Sequence, residues 1–227
     1  MFKKVEALNK DTHQNLRFTQ IDSFEFASSV LNAPLSASEF LFAARYYPIV
    51  FSLENATPQA LFTLGQQKNH YVNTDGLWSV PYIPAHIRRY PFILANTGTE
   101  ESGDKFAVCI DVEAPHFATD QGTPLFTADG NPGDFTQKTM TFLQKFQEEL
   151  KVTQALCMEM ESMKVLVEKK INIEKDGQKI VLGGFRCVDM EKLTALDDSV
   201  LAKWVRNGLM GIINLHQLSL GNLKNIA

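Results

Sequence analysis

A Gly-Asn-Pro-Gly stretch at residues 130–133 separates two regions of different periodicity, and this seam most limits the folds open to the chain. Before Gly130, short apolar runs alternate with turn signals; after Gly133, apolar residues recur at helical spacing. A doubly wound sheet needs strands and helices to alternate throughout. Strands and hairpins gathered on one side of a seam, with helices concentrated on the other, specify an α+β class with an antiparallel or mixed sheet. No internal repeat, low-complexity tract or long linker accompanies the seam, so the expectation is one domain over 1–227, with the boundary of two lobes near 130–134.

In the first half, residues 36–47 predict a short helix capped by Ser36 or Ser38, with Phe40, Ala43, Ala44 and Tyr47 on one face and Pro48 as the stop. The runs 49–53 and 60–64 read as strands. Asp75-Gly76, between Tyr71-Val72 and Leu77-Trp78, reads as a hairpin turn. Further strands are expected over 91–95 and 106–112, joined by the polar connection 97–104. Past the seam, Asp134 is expected to cap a helix carrying Phe135, Phe142, Phe146 and Leu150, with Gln137 completing a capping box. A second helix should open at Thr153 and carry Leu156, Met160, Met163 and Val167. A hairpin turning at Asp176-Gly177 follows. The last long helix should begin near residues 197–199, bury Leu201, Val205, Ile212 and Leu215, and run to about Gly221.

Hydrophobic residues make up 44% of the 227 and charged residues 21%, enough apolar surface to offset the entropy of ordering. A formal charge of −4 provides no field for phosphate backbones, so no nucleic acid partner is expected. The longest apolar runs, such as 209–215, fall far short of the roughly 20 residues that span a bilayer. Lys3 and Lys4 are followed by Glu6, Asn9, Lys10 and Asp11 where a secretory signal needs unbroken apolar sequence, so the mature chain is expected to begin near Met1. Cys109, Cys157 and Cys187 are too few and scattered for a disulfide framework, which makes a reducing cytoplasm the expected compartment.

The chemistry-bearing residues concentrate in 71–94, where Trp78, Tyr82, His86, Arg88, Arg89 and Tyr90 are packed among three prolines. Pro84 favours a helix start and Pro91 a stop, giving one or two turns over 85–90 with His86 and Tyr90 on a shared face. Arg88 and Arg89 offer planar forks for a carboxylate or phosphate, above a floor of aromatic rings. The plainer alternative leaves one arginine solvated and ties the other to Asp111. Strand alternation over 106–116 turns Val108, Ile110 and Val112 inward and sets Cys109, Asp111 and Glu113 on the opposite face. With His116 three residues past Glu113, a divalent metal is conceivable there, but the spacing matches no established motif, and no metal or other cofactor is expected. His13, His70 and His216 stand alone, His216 at the polar edge of the last helix. No nucleophile elbow, phosphate loop or dinucleotide fingerprint is present; Gly183-Gly184 marks a bulge or a close strand approach.

The chain resembles the SapC family of bacterial proteins over nearly its whole length. The resemblance rests on Tyr47-Pro48-Ile49-Val50-Phe51, on Gly76-Leu77-Trp78, and most specifically on residues 84–92 with their Pro-Ala-x-x-Arg-Arg-Tyr-Pro-Phe pattern. It continues through Cys109-Ile110-Asp111, Gly122-Thr123-Pro124-Leu125-Phe126, Gly183-Gly184-Phe185 with Asp189 and Leu193, and the closing His216-Gln217-Leu218-Ser219-Leu220. Where the family commonly has an acidic residue directly after the aspartate, this chain has Asp111-Val112-Glu113, so no role carries over to that second carboxylate. The resemblance implies no catalytic residues and no agreed activity. The family is named from surface-layer gene clusters, and its members occur near genes for flavin-dependent tryptophan-halogenase-like proteins and cupins. Some carry a permease label, which the hydropathy here contradicts.

The expected function is therefore an accessory or ligand-binding protein working with neighbouring gene products, holding a small anionic or aromatic ligand near Trp78, Tyr82, His86, Arg88, Arg89 and Asp111. The alternatives are an enzyme using Asp111, Glu113 and His116 around a metal or His86 as acid and base, and a surface-layer structural protein, which would require export.

Overall fold

A computed structural model of the chain describes residues 1–64, 68–96, 106–175 and 178–226, without the side chains of 171–180 and 182. The expected connection 97–104 and the turn at 176–177 lie outside the described residues. The architecture is α+β, with three antiparallel sheets and seven α-helices among the described residues.

The first half supplies most strands. In chain order these are β1 (Val5–Ala7), β2 (Arg17–Phe18), β3 (Asn32–Pro34), β4 (Ile49–Phe51), β5 (Pro58–Leu61), β6 (Phe92–Asn96), β7 (Phe106–Asp111), β8 (Phe117–Ala118) and β9 (Thr123–Pro124), followed past the seam by β10 (Leu166–Lys175) and β11 (Gln178–Val188). The sheets run β1-β7-β6, β8-β2-β9 and β10-β11-β4-β5-β3. The five-stranded sheet therefore joins the halves: the β10–β11 hairpin adds to β4 through Arg186 opposite Phe51. Opposite the single residue 170, the pair Gly183-Gly184 forms the expected bulge, with Gly184 at φ +84°, a conformation open to glycine.

The helices are α1 (Lys10–His13), α2 (Phe40–Ala43), α3 (Ala85–Arg88), α4 (Asp134–Ser162), α5 (Met190–Thr194), α6 (Asp198–Arg206) and α7 (Leu209–Ser219). Ser36 forms a capping box with Glu39 and opens a 3-10 turn that leads into α2. Three expectations for the second half need correction. The two helices predicted on either side of Thr153 are one helix of 29 residues. Thr153 starts nothing, because its hydroxyl donates back to the Glu149 carbonyl at 2.6 Å and accepts from the Ala37 N–H at 2.7 Å, so the residue serves packing inside α4. Asp134 does not cap that helix. Gly133 occupies the cap position, and the Gln137 side chain donates to the Pro132 carbonyl instead. The last long helix is broken at Gly208, which has φ +83°, into α6 and α7. The break rotates the buried face: Trp204, Leu209, Ile213 and His216 are interior, whereas Val205 is 64% exposed.

His216 is thus a core residue, not a surface one. Its Nε2 accepts from the Val188 N–H at 3.1 Å, which leaves the proton on Nδ1 to donate to the Ile49 carbonyl at 2.7 Å. One neutral tautomer ties α7 to both β4 and β11.

Three apolar cores result. One surrounds Phe40, Tyr47, Ile49 and Phe62; a second surrounds Phe51, Met160, Trp204 and Ile213; the third gathers Phe18, Phe92, Ile110, Leu125 and Leu143 beneath the first turns of α4. The third is shaped by the turn between β8 and β9. There Gly122 has φ +99°, and a Cβ on it would lie 2.5 Å from the Phe18 carbonyl oxygen. Gly122→Ala is accordingly expected to lower stability by about 1–3 kcal/mol. The readout is a fall in urea midpoint with unchanged slope; an unchanged midpoint would show that the turn can relax.

Candidate functional site

The segment 84–92 forms as its prolines require. Pro84 stands with φ −55° and ψ 143° at the position preceding α3, and α3 ends before a cis Tyr90–Pro91 bond. A buried carboxylate that the sequence did not reveal as functional secures this turn. Glu39 Oε1 accepts from the Ala85 N–H at 2.7 Å and from the Tyr82 hydroxyl at 2.8 Å, and Glu39 Oε2 accepts from the Ser36 N–H at 2.9 Å. Asp111 secures the other end. Its carboxylate accepts from the N–H groups of Lys3 and Lys4, each at 2.9 Å, and from the Tyr90 hydroxyl at 3.0 Å.

Between these anchors lies a cavity of about 400 Å³, bounded by α3, the start of α4, β2 and the loop after β7. That volume falls within the range of small-molecule sites. Its walls are rings. Phe135 stacks on Phe18 at 4.4 Å between centroids, Phe26 stacks on Tyr90 at 4.1 Å, and Phe142 closes the α4 side beneath the Arg88 guanidinium, 5.5 Å from its centroid.

Two residues of the lining carry buried polar atoms without a hydrogen-bond partner among the described residues. His116 is 3% exposed and lies parallel to Phe18 with ring centroids 5.7 Å apart, yet its buried Nδ1 has no hydrogen-bond partner. Arg89 has a buried Nε without an acceptor, and among the described residues no carboxylate pairs with its guanidinium, which rests 5.9 Å from the Phe2 ring. Burial pushes His116 down to about 4 and Arg89 down to about 10. Desolvation without compensation is unfavourable for both groups.

The sequence-predicted residues divide into two sets. Arg88 and Arg89 line the cavity together. The other four do not. Trp78 lies in the first core, donating from Nε1 to the Tyr47 hydroxyl at 2.8 Å, and Tyr82 is held by Glu39 beside a neighbouring groove. His86 is not part of the lining, and burial, reinforced by the Arg89 charge, pushes it down to about 3. Asp111 is fully buried instead of lying on an open strand face, because residues 2–4 cover it. It pairs with backbone amides and Tyr90, not with an arginine as the plainer reading expected. Burial works against its ionisation, but the Lys4, Lys3 and Tyr90 donors prevail and hold its carboxyl below the usual range. Among the described residues, no three His, Cys, Asp or Glu side chains are grouped to hold a metal ion.

The cavity's aromatic walls were the main omission of the sequence reading. A signal existed: the chain has 16 Phe against 5 Tyr and 2 Trp, and Phe18, Phe24 and Phe26 cluster in a segment that shows no regular periodicity. Phenylalanines of short, irregularly patterned elements have to pack somewhere, and here they wall a cavity.

The cavity opens to solvent, and its walls are largely aromatic rings. The chain carrying it is a member of the SapC family, whose sequence profile matches residues 8–226. No curated protein and no solved structure matches it. Among the described residues, no helix is long and apolar enough to cross a membrane.

Proposed function

We propose that this SapC-family chain is a binding protein for a small anionic or aromatic ligand, and that the ligand occupies the cavity between α3, α4 and β2. It acts in the bacterial cytoplasm as an accessory to the products of neighbouring genes. The observation that carries this reading is a cavity of about 400 Å³ whose lining sets the cationic residues Arg88 and Arg89 against the rings of Phe18, Phe26, Phe135 and Phe142. The metal-assisted alternative has less support, since each Asp111 oxygen already accepts hydrogen bonds from donors within the chain. The acid/base alternative loses its residue, because His86 lies off the cavity.

A thermal-shift screen of small acids and aromatic fragments tests the proposal. A ligand at one hundred times its dissociation constant should stabilise the fold by about 2.7 kcal/mol. The shift should vanish in Phe135→Trp, whose larger ring fills the cavity, and weaken in the Arg88→Ala, Arg89→Ala double variant. Hits that persist unchanged in both variants would place binding elsewhere and overturn the reading.

A further inference from the structure

We infer that the cavity and the groove beside it are two stretches of one trough along α4, and that the trough takes an amphipathic ligand made of an aromatic ring, a flexible spacer and a carboxylate that rests on Arg88. This rests on the cavity being the binding site and narrows the chemical class that fits it.

The floor comes first. Phe135, Thr139 and Phe142 line the cavity, and Phe142, Phe146 and Glu149 line the groove, which also measures about 400 Å³. These positions follow one another at intervals of four, three, four and three residues within the single helix α4, so they form one stripe of its surface. At 1.5 Å per residue that stripe is about 21 Å long.

The division falls at Arg88, which with Phe142 is common to both linings. Its guanidinium lies 5.5 Å from the Phe142 centroid, and its Nε donates to the Ile83 carbonyl at 2.8 Å, so ring and carbonyl together fix its plane. The residue is exposed, and with Nε committed its two terminal nitrogens remain, a pair that matches the two oxygens of a carboxylate. Among the described residues no carboxylate forms an ion pair with it. The two acids of the groove have other partners. Glu39 accepts from Ser36, Tyr82 and Ala85, and Glu149 accepts from the hydroxyls of Ser36 and Ser38 at 3.1 and 2.7 Å. Their charge works against a doubly charged head such as a phosphate monoester and favours a single carboxylate.

The spacer follows from distance. Phe135, stacked on Phe18 at 4.4 Å, offers an aromatic seat, and it precedes Phe142 by seven residues, about 10 Å along the helix axis. A carboxylate attached directly to a ring seated there stops short of Arg88. A chain of several methylenes closes the gap, and Ile83 and Ile87 in the cavity lining provide apolar surface to cover it.

Isothermal titration with four naphthalene probes tests the inference: 6-(2-naphthyl)hexanoate, the alcohol of the same length, 2-naphthoate and 2-naphthol. The hexanoate should bind at least about 10-fold more tightly than its alcohol, whereas 2-naphthoate should gain less than about 3-fold over 2-naphthol. Arg88→Met keeps an apolar stem against Phe142 and removes the charge. It should lower the hexanoate to the affinity of the alcohol and leave both short probes unchanged. Arg88→Lys, which keeps the charge without the planar fork, should retain part of the preference and guards against a folding defect in the first variant.

Equal affinity for the hexanoate and its alcohol, or a preference that survives Arg88→Met in full, overturns the carboxylate assignment. A preference of 2-naphthoate over 2-naphthol as large as that of the hexanoate over its alcohol overturns the spacer. The neutral 2-naphthol reports on the cavity separately. If it binds and Phe135→Trp abolishes its binding, the cavity remains the site and only the ligand class is wrong. If no probe binds a chain shown folded by circular dichroism, the inference is wrong, and the fragment screen with Phe135→Trp decides whether the cavity reading falls with it.

Discussion

Between pH 6.5 and about 4.5 the protein should lose stability at close to 4 kcal/mol per pH unit, a slope set by three histidines, two buried and one half-buried, whose pKa values desolvation depresses. Burial holds His86 down to about 3 and both His116 and His216 down to about 4, whereas in the unfolded chain each titrates near 6.5. A depressed folded pKa means that the unfolded state binds protons first as the pH falls. The associated stability is therefore fully present above 6.5 and is lost progressively as the pH drops toward the folded values. Each group contributes about 1.36 kcal/mol per unit, and three act together over this window. A loss on the order of 8 kcal/mol by pH 4.5 is comparable to the whole stability of an ordinary domain, so unfolding is expected near pH 4–5. The depressed carboxyl of Asp111 adds to the loss only below about 4. Urea midpoints by circular dichroism from pH 7.5 to 5 measure the slope, and a flat profile would show that these histidines protonate in place.

The variant His116→Phe separates the three. His216 cannot be exchanged cleanly, because it holds Val188 and Ile49 by hydrogen bonds. His116 makes no hydrogen bond through Nδ1, and its ring already lies against Phe18 with edges toward Phe26 and Tyr90. Phenylalanine should keep those contacts and remove the unsatisfied atom, so stability at pH 7.5 should hold or rise while the acid slope falls by about a third. A clear loss at pH 7.5 would mean that His116 is structural, with a partner it does not display here.

What could be read from the sequence followed from local chemistry. Pro84 and Pro91 framed a short helix expected over 85–90 and observed over 85–88, and Gly183-Gly184 read as a bulge or a close strand approach, of which the register shift shows the bulge. What could not be read depends on coverage from afar. Alternation along β7 put Asp111 on the face opposite Ile110, which was sound geometry, but it could not say that residues 2–4 would lie over that face. Nor does helical periodicity reveal that Thr153 continues α4, since a threonine bonded back to Glu149 looks in sequence like one that caps a new helix. The cavity itself is assembled from β2, the 3-10 turn at Glu25–Ala27, α3, the loop after β7 and α4. No window of sequence contains it.

Asp111→Ala should be the most damaging single substitution near the site, costing about 3 kcal/mol and freeing the N-terminal segment. The carboxylate satisfies the backbone N–H groups of Lys3 and Lys4 and the Tyr90 phenol, with a longer bond from the Glu113 N–H at 3.4 Å, and bonds to a charged acceptor contribute about 1.5–3 kcal/mol apiece. The full sum is not expected. Lys3 and Lys4 can peel away and bond to water, while the buried Tyr90 hydroxyl cannot, so the loss is capped by whichever is less unfavourable, detachment or burial without a partner. Asp111→Asn, which keeps one acceptor oxygen, should lose about half as much. Hydrogen exchange separates detachment from global weakening: the amides of residues 3–7 should exchange faster in Asp111→Ala by more than the change in global stability accounts for, because β1 pairs with β7 directly beside this anchor. Equal acceleration across the whole chain would contradict it. Detachment also reaches the cavity, since Phe2 rests 5.2 Å from the Tyr90 ring and 5.9 Å beneath the Arg89 guanidinium. With that support gone, Arg89 is free to turn toward solvent, and a ligand that relies on it should bind more weakly although Asp111 never touches it.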